Sequence, residues 1–545
     1  MKNVFFILTL FSLNTSFAAD YHIGPGQPLA TIAEAPWDNL QAGDRIFIHW
    51  KSTPYFEKWV INANGTEQAR IEVIGVSGPN GEKPIISGEG AITPTYLDYW
   101  NEERSLIKIG GSSVPADGLP SYITIENLEL RSARPAYGYT SDNGQPGTYL
   151  SNAASIHVEK GEHLIIRDCI IHDSGNGIFI GAAGGATKDI LIANNYIYDN
   201  GIEESIFEHN TYTEAFGITY EYNRFGSLRM GALGNNLKDR SAGLVVRYNW
   251  IESGNRQLDL VESGSTALYD DPSYAITYVY GNILIEPDGA GNSQILHYGG
   301  DSGETNRYRK GDLYFYNNTV VSTRNSNTTL ARLSTEEETM HAFNNVIYTT
   351  NSGNTLAMIN SSGTLNLDYN WIKTGWVNAH DASAPGTVND LDTNLDGDDP
   401  MFMDAANQDF SPMILSPLVD AGSLIPVVHL PDHDLLHEYV PHTNGMPREL
   451  LFSMDIGAFE NRNVLSTQDL AQLPMALYPN PVADYVQIGN IDADQIKNIA
   501  FYSSDGQMQL TAVHPIVDVS PLRPGIYLVA VQTQDAKTVL RLVKL

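Results

Sequence analysis

Six cations cluster near the middle of a chain of 545 residues whose formal net charge is −32. Only Asp239 and Glu252 oppose them between residues 223 and 256, so six cations less two carboxylates leave this window at +4. The basic residues are Arg224, Arg229, Lys238, Arg240, Arg247 and Arg256. Distant carboxylates are screened beyond a Debye length of about 8 Å, so a docked anion responds mainly to the local cations. The window predicts a binding site for an acidic polymer; the alternative is a solvated face on which cations cluster by chance.

The spacing of Lys238, Arg240 and Arg256 suits β-elimination of a uronic acid. That reaction needs cations that neutralise the carboxylate, a base for the neighbouring proton and an acid for the departing glycosidic oxygen. A lysine held among other cations has a lowered pKa and can be the base. Arginine stays protonated and pairs with carboxylates through two parallel hydrogen bonds. We therefore predict that Lys238 removes the proton, while Arg240 and Arg256 hold and neutralise the uronate.

Two flanking segments supply further candidates for the site. "EHNTYTEAFG" contains His209 and Tyr212, which could form an alternative acid–base pair, together with Glu208 and Glu214. "ILHYGGDSGETNRYRKGDL" contains His297, followed by two glycines that would let a ligand approach closely. We predict that Asp259, Glu262 and Asp301 orient the cations or the sugar. Arg307 and Arg309 are further candidates for substrate binding, with Lys310 beside them. Each histidine could instead be structural.

Two other classes of function stay open. A glycoside hydrolase would need two carboxylates about 5–10 Å apart, which Asp259 with Glu262, or Asp239 with Asp301, could supply. A non-catalytic glycan-binding protein would use some of the 29 tyrosines and 7 tryptophans to stack on sugars.

A repeated sequence pattern runs through the chain and predicts the elements that position these residues. Alternating apolar residues lead to an Asn or Asp, and a second β-rich run follows. Several spacings are 26 to 28 residues, and the markers are Asn127, Asp168, Asn195, Asn223, Asn249, Asn282, Asn318 and Asn345. A fixed period in this range indicates stacked repeats, and the runs are too short for helices of several turns. The expected fold is all-β, a right-handed parallel β-helix. In it, Asn occupies a tight bend, tolerates a left-handed backbone and bonds the neighbouring coils.

Residues 20–462 resemble the right-handed β-helix superfamily of pectate lyases, alginate lyases and chondroitinase B. "AGDRIFIHWKSTPYFEKWVI" is similar to their first coil, and "DFSPMILSPLVDAG" and "DIGAFE" are similar to their last coils. The resemblance implies a catalytic Lys before an "RYN" strand, where Lys238 stands, and an Arg one coil later, where Val261 falls. "LKDRSAG…YNWIESGNRQLDLVE" with "HYGGDSG…YRKG" is also similar to secreted β-helix proteins described as polysaccharide-degrading, without a named substrate.

"VNDLDTNLDGDDP", residues 388–400, favours a solvated turn over a calcium site. Asp392, Asn394, Asp396 and Gly397 fit the start of a calcium-binding loop, but the twelfth position is Met403 where glutamate is required. No cofactor is predicted with certainty, although calcium is possible and the metal ligands are unknown.

The two ends of the chain predict export. Residues 1–19 have the charge, apolar run and small residues of a signal peptide, and no later stretch is long enough to span a membrane.

After a linker at 463–474, residues 475–545 resemble the type A sorting domain read by the type IX secretion system of Bacteroidota. The resemblance rests on "LYPNPVADYVQI", "AFYSSDGQM", "LRPGIYLVAV" and "LRLVKL". It implies a small β-sandwich and a secreted or surface-bound protein that crosses the periplasm of a Gram-negative cell.

The remaining composition excludes some partners. A net charge of −32 argues against nucleic acid as a partner of the whole surface. Cys169 is the only cysteine, which excludes an intramolecular disulfide, and its apolar surroundings predict a small buried side chain and no reactive thiol.

Overall fold

The structure is a computed structural model that describes residues 18–450, 453–462, 475–489, 491, 495–503, 507–533 and 537–545. The predicted linker, the Asp505-Gly506 pair and nearly all of the predicted signal peptide lie outside the described residues. The chain divides into two compact units, Met1–Asn461 and Arg462–Leu545. No helix within the described ranges is both long and apolar enough to cross a bilayer.

The first unit is a right-handed parallel β-helix, as predicted. Each coil contributes one strand to each of three long parallel sheets, and the chain passes from sheet 1 to sheet 2 to sheet 3 before it returns to sheet 1. The repeated sequence pattern corresponds to the sheet 1 strand, the marker residue and the sheet 2 strand.

Sheet 1 contains, in spatial order, 13 described strands: Asp20–Ile23, Arg45–His49, Ile71–Val76, Ile123–Glu126, Glu162–Arg167, Lys188–Ala193, Phe216–Glu221, Ala242–Arg247, Ile276–Tyr280, Gly311–Tyr316, Glu338–Phe343, Thr364–Asp368 and Thr387–Asp390.

Sheet 2 contains 11 described strands: Ile85–Ser87, Glu129–Arg131, Ile170–His172, Tyr196–Ile197, Arg224–Phe225, Trp250–Glu252, Ile283–Glu286, Thr319–Ser322, Val346–Thr349, Trp371–Lys373 and Leu395–Gly397.

Sheet 3 contains 10 described strands: Trp59–Ile61, Ser105–Ile109, Ala154–Val158, Asn176–Ile180, Thr211–Thr213, Leu237–Asp239, Leu258–Leu260, Gln294–Tyr298, Thr328–Leu333 and Leu356–Ile359.

Short elements decorate the coils. The described helices are the α-helix Thr266–Tyr269 and the 3-10 helices Ile32–Glu34, Glu102–Arg104, Ala183–Gly185, Pro272–Ala275, Thr305–Arg307, Ala405–Asn407 and Val427–His429. The minor strands of this unit are Ala91–Ile92, Asp98–Tyr99, Ser112–Val114, Gly138–Thr140, Pro146–Thr148, Phe402–Asp404, Asp409–Pro412, His437–Val440 and Asn444–Pro447.

Alternation along each strand separates the core from the outer faces. In sheet 3, the fully buried residues at matching positions on successive coils are Ile156, Ile178, Thr211, Leu237, Leu258 and Leu296. Since side chains on a strand alternate between faces, the residues next to them point outward in equally regular columns. The parallel register therefore aligns one outward residue per coil.

An asparagine ladder closes the corner between sheets 1 and 2. From Asn195 to Asn370, the side-chain oxygen of each ladder residue accepts hydrogen bonds of 2.8–3.0 Å from the preceding coil, and the chain of bonds ends at Asn394. The six markers from Asn195 to Asn345 are thus confirmed as ladder residues. The left-handed residue of each of these bends is the one before the marker, so the predicted left-handed backbone at the marker itself is wrong. Asn127 and Asp168 are not ladder residues, because they stand one residue earlier, where the backbone is left-handed, and Leu128 and Cys169 take the ladder position. Cys169 is buried, as predicted, and burial raises the pKa of its thiol to about 12.

A segment that we call the strap, residues 425–437, crosses the outer face of sheet 1. It covers a column of stacked rings in which the Tyr280 and Tyr316 centroids are 4.7 Å apart. His433 stacks on Tyr278 with a centroid distance of 3.5 Å, and burial lowers its pKa to about 4. The strap therefore packs a neutral histidine against the sheet.

The second unit is a small antiparallel β-sandwich, as predicted. One sheet has the strands Ala476–Tyr478, Tyr485–Gly489 and Ile516–Asp518, and the other has Met508–Ala512, Ile496–Ser503, Gly525–Thr533 and Lys537–Lys544. Val486, Ile488, Phe501, Val529 and Val531 form its buried core.

Candidate functional site

One outward column of sheet 3 brings chemistry-bearing side chains together. Residues aligned in register on five successive coils form what we call the polar column: Tyr212, Lys238, Asp259, His297 and Arg332. Adjacent strands of a sheet lie about 4.8 Å apart, so each residue is the direct neighbour of the next. The loops that enter and leave sheet 3 flank this column on both sides, and we call the face between them the sheet 3 groove.

Lys238 forms two ion pairs at the centre of the column. Its Nζ lies 2.7 Å from Asp259 Oδ2 and 3.2 Å from Asp301 Oδ2. Burial acts to lower the pKa of Lys238, but the two carboxylates outweigh it and raise the pKa above its ordinary value. The predicted lowered pKa is therefore wrong, because Lys238 sits among carboxylates and not only among cations. It is held as a protonated ammonium.

Asp259 is the residue in register with Lys238 on the next coil. Val261, which the resemblance places where the lyases have an arginine, is fully buried. Asp259 is 1% exposed and its Oδ1 lies 2.9 Å from His297 Nδ1. Burial opposes its ionisation, but Lys238 and His297 hold its pKa far below the ordinary value. Asp259 is a buried, permanently charged counter-ion.

His297 links Asp259 to a serine that sequence analysis missed. Its Nε2 lies 2.9 Å from Ser334 Oγ, and burial lowers the pKa of the imidazole. This order of groups is that of a serine-hydrolase triad. However, His297 is 1% exposed, and both the N–H and the C=O of Gly300 hold the Ser334 hydroxyl at 2.9 Å. The chain of bonds is better suited to hold Asp259 in place than to attack a substrate.

The glycines after His297 serve packing within the chain. A side chain on Gly299 would meet Ser334 at 2.5 Å, and one on Gly300 would meet the Tyr308 ring at 2.2 Å. They therefore do not indicate close approach by a ligand.

Tyr212 and Arg240 lie beside Lys238 in the groove. The guanidinium carbon of Arg240 is 5.4 Å from the Tyr212 ring centroid, and its Nη1 donates to the carbonyl of Glu262. Burial would lower the pKa of Arg240, but the nearby acidic groups, among them Glu262 and Asp301, raise it. No residue in the described part of the chain hydrogen-bonds the Tyr212 hydroxyl. Tyr212 is therefore a partly exposed hydroxyl beside two cations.

His209 supports Tyr212 from the preceding loop. The two rings meet edge to face, with centroids 5.6 Å apart. Burial lowers the pKa of His209 to about 3, and its Nδ1 accepts a hydrogen bond from the Asn235 N–H. Because Nδ1 is the acceptor, Nε2 carries the proton, and His209 has no free lone pair with which to act as a base.

The carboxylates of Glu262 and Asp301 have different roles. Glu262 is buried and accepts hydrogen bonds from the backbone N–H groups of Asp301 and Ser302, at 2.9 and 2.7 Å. The Asp301 side chain is 43% exposed. Glu262 thus fixes the loop that carries Asp301, while the Asp301 carboxylate faces solvent beside Lys238.

Arg256 and Arg332 bring two further cations to the other end of the column. The Nε and Nη2 of Arg256 donate to Gln294 Oε1, and its Nη1 lies 3.6 Å from Asp259 Oδ1. Arg332 was missed by sequence analysis, and the described residues provide its guanidinium with no hydrogen bond or ion pair. Both side chains are partly exposed.

Three of the predicted basic residues lie away from the column. Arg309 is fully buried and its Nη2 lies 3.4 Å from Asp239 Oδ1, which is also fully buried. Arg307 pairs with Glu304 and Lys310 pairs with Glu337 on the surface. Asp239 therefore cannot pair with Asp301 as the two carboxylates of a hydrolase.

Half of the positive window belongs to other faces of the coil. Arg224 covers the Tyr196 ring on sheet 2, Arg229 pairs with Asp173, and Arg247 pairs with Glu221 on sheet 1. One coil turns through all three sheets, so neighbours in sequence point in different directions.

The acidic stretch at 388–400 contributes to the scaffold. Asn394 Oδ1 accepts hydrogen bonds from Asn370 and continues the asparagine ladder. Among the residues described, no group of three or more His, Cys, Asp or Glu is arranged to hold a metal ion.

Comparison with known families identifies the C-terminal part of the chain. Residues 476–545 match the family described as the secretion system C-terminal sorting domain. This part is a sorting signal of the type IX secretion system, and the protein is exported to the cell surface or secreted. A search of curated proteins gave no match.

Several solved structures are similar to this chain at low identity. A GH136 lacto-N-biosidase from Eubacterium ramulus is 12% identical with a TM-score of 0.30, over 70% of this chain and 68% of that one. A PL6 family alginate lyase is 13% identical with a TM-score of 0.29, over 70% of this chain and 53% of that one. The Streptococcus pneumoniae surface protein and adhesin PfbA is 10% identical with a TM-score of 0.33, over 65% and 89%.

Proposed function

We propose that the sheet 3 groove is the active site of an enzyme that degrades an acidic polysaccharide by β-elimination. The supporting observation is the pair of partners of Lys238. Asp259 is buried and holds the ammonium from below, while Asp301 is exposed and reaches it from a loop. A uronate carboxylate can replace Asp301 at Lys238 without disturbing the buried pair, and Arg240, which directly follows the same strand, can share its charge.

In this proposal Lys238 is a binding and electrostatic residue. Lys238 and Arg240 neutralise the substrate carboxylate and stabilise the negative charge that develops as the C5–H bond breaks. Tyr212, in its deprotonated form, takes that proton, and the electrons of the C–H bond move into the carboxylate group as an enolate. The C4–C5 double bond forms as the C4–O bond breaks, and Tyr212 returns the proton to the departing oxygen. His209 positions the Tyr212 ring.

The geometry favours elimination over hydrolysis. Asp259 and Asp301 both contact the Lys238 nitrogen, so they are the neighbouring carboxylates that a hydrolase would have to use. However, the carboxylate of a retaining nucleophile must reach the sugar ring, and Asp259 is 1% exposed beneath Lys238. Asp301 alone cannot supply both carboxylate roles.

A product assay tests the proposal. The purified full chain would be incubated with alginate, pectate and glycosaminoglycans, with and without a chelator. Elimination predicts new reducing ends together with the ultraviolet absorbance of an unsaturated uronate. Reducing ends without that absorbance would indicate a hydrolase, and binding without cleavage would indicate a glycan-binding protein; either result overturns the proposal.

Matched variants connect the activity to the groove. Lys238→Ala and Arg240→Ala should abolish most of the activity. Arg224→Ala removes a cation from the same window of sequence but from the outer face of sheet 2, so it should leave the activity unchanged.

A further inference from the structure

Arg332 and Arg256 form a cationic pair without a matching anion. Arg332 is in register with His297, which is itself in register with Asp259. The Arg332 guanidinium has no partner among the described residues. Arg256 directs two donors to the neutral amide oxygen of Gln294, and its Nη1 contact with Asp259 is long at 3.6 Å. Burial lowers the pKa of Arg256 and the like charge of Arg332 adds to this, whereas the carboxylates of Asp259 and Asp301 oppose it. Arg256 therefore has only a long contact with a carboxylate that Lys238 already holds, and Arg332 has no carboxylate contact.

The other ionisable groups near this pair do not supply the missing charge. His297, between Arg332 and Asp259 in the column, is neutral because burial lowers its pKa. Both carboxylate oxygens of Glu262 accept hydrogen bonds from backbone N–H groups. Asp301 also acts on Arg256, but its carboxylate is paired with Lys238. Partly buried cations without an anion are costly in a folded protein, so their presence in a chain of net charge −32 calls for an external anion.

We propose that Arg332 and Arg256 form a second anion subsite, which binds the charged group of a sugar some way along the polymer from the one held at Lys238. This inference rests on the proposed function for the identity of the ligand as an acidic glycan. Three strand spacings separate Lys238 from Arg332 along the groove, or roughly 14 Å. The anion bound there belongs to another sugar of the same chain. The planar guanidinium groups suit a carboxylate or a sulfate, which present two oxygens in parallel.

The subsite makes the enzyme selective for polymers with repeated acidic groups. A substrate with one isolated uronate occupies Lys238 alone, whereas a contiguous acidic chain occupies both positions. Because four strand spacings separate Arg332 from Tyr212, its contribution is to binding and not to proton transfer.

A binding experiment tests the subsite independently of turnover. Affinities of the wild type, Arg332→Ala and Arg332→Lys for alginate oligosaccharides, carrageenan oligosaccharides and neutral laminarin would be measured by calorimetry, with Tyr212→Phe added to each chain if the wild type cleaves the ligand. Arg332→Ala should weaken binding of at least one acidic oligosaccharide by about 10-fold or more and reduce its dependence on salt. Arg332→Lys, which keeps the charge but not the planar fork, should lose less.

Controls separate the subsite from folding and from the proposed reaction. Lys310→Ala removes an equal charge from a surface pair with Glu337 and should bind like the wild type. Loss with alginate identifies a carboxylate ligand, and loss with carrageenan identifies a sulfate. Galacturonic acid as a monosaccharide should bind Arg332→Ala and the wild type equally. If Arg332→Ala retains wild-type affinity for every acidic oligosaccharide, the subsite is refuted; if it loses affinity while the wild type yields no unsaturated product, the subsite stands and the elimination mechanism falls.

Discussion

Lys238 Nζ and Asp259 Oδ2 lie 2.7 Å apart at matching positions on successive coils, and both side chains are almost completely buried. The pair is the fixed part of the groove, because its charges are confined by backbone register and by the bond from His297 to Asp259.

Removal of the buried carboxylate should destabilise the first unit. Asp259→Asn leaves Lys238, His297 and Arg256 without their shared counter-charge, and breaking a buried pair typically costs about 3–5 kcal/mol. We expect a clear fall in the melting temperature together with loss of activity. Asp301→Asn, on the exposed side of the same lysine, should change stability by less than about 1 kcal/mol. Equal melting temperatures for the two variants would contradict the role of Asp259.

Loss of the Tyr212 hydroxyl should affect turnover more than binding. Removing a proton-transfer group typically lowers the rate about 10²–10⁴-fold. We expect Tyr212→Phe to lower kcat by this amount with KM and melting temperature nearly unchanged, because no described residue bonds the hydroxyl. In contrast, Lys238→Ala should raise KM as well. A Tyr212→Phe enzyme with wild-type kcat would assign proton transfer to another group.

The strap should loosen as the pH falls. The pKa of His433 is lowered from an ordinary value of 6.5 to about 4 in the folded chain, so between these values the unfolded state binds more protons. Stability contributed by the neutral ring is therefore complete above pH 6.5 and is lost as the pH falls towards 4.

His433→Phe provides the matched measurement. Phenylalanine keeps a flat ring against Tyr278, and His433 Nδ1 has no hydrogen bond to lose. The melting temperature of the variant should fall less steeply than that of the wild type below pH 6.5. Parallel curves would show that His433 does not cause the acid dependence.

Interruption of the asparagine ladder should destabilise the coils on either side. Asn282→Ala leaves the Asn249 amide donors without their acceptor and frees the Val246 carbonyl. A buried polar group left unsatisfied costs about 1–3 kcal/mol, so thermal unfolding should begin at a lower temperature. Asn389→Ala, an exposed asparagine outside the ladder, is the control and should melt with the wild type. An unchanged Asn282→Ala melting curve would mean that the ladder adds no net stability.

Deletion of residues 475–545 should block the final step of export. The sorting domain directs the chain through the type IX system, so the truncated protein should accumulate in the periplasm, as shown by cell fractionation with a periplasmic marker. Unchanged appearance in the medium would contradict this prediction.

The fold could be predicted because its signal is periodic. Apolar alternation and markers such as Asn223 and Asn249 recur at nearly constant spacing in sheets 1 and 2, where a fixed bend must bond the next coil. Sheet 3 has no such marker, and its column spacings vary from 21 residues between Lys238 and Asp259 to 38 between Asp259 and His297. The sequence therefore placed Lys238 and Arg240 in the groove but did not identify the register of their neighbours.

The residues that were missed show what sequence proximity cannot supply. Arg332 and Ser334 stand in "LARLS", which reads as one more buried strand until the register shows Arg332 beside His297. The pKa of Lys238 was predicted with the wrong sign because Asp259 and Asp301, which raise it, are 21 and 63 residues away in sequence.

The polar column also determines the spacing between charged groups along the groove. Since backbone hydrogen bonds fix the increment between coils at about 4.8 Å, the distance from the charge at Lys238 to that at Arg332 is set by the number of coils between them and by nothing else. Exchange of side chains can change which groups a glycan must carry, but only insertion or deletion of a whole coil can change how far apart it must carry them.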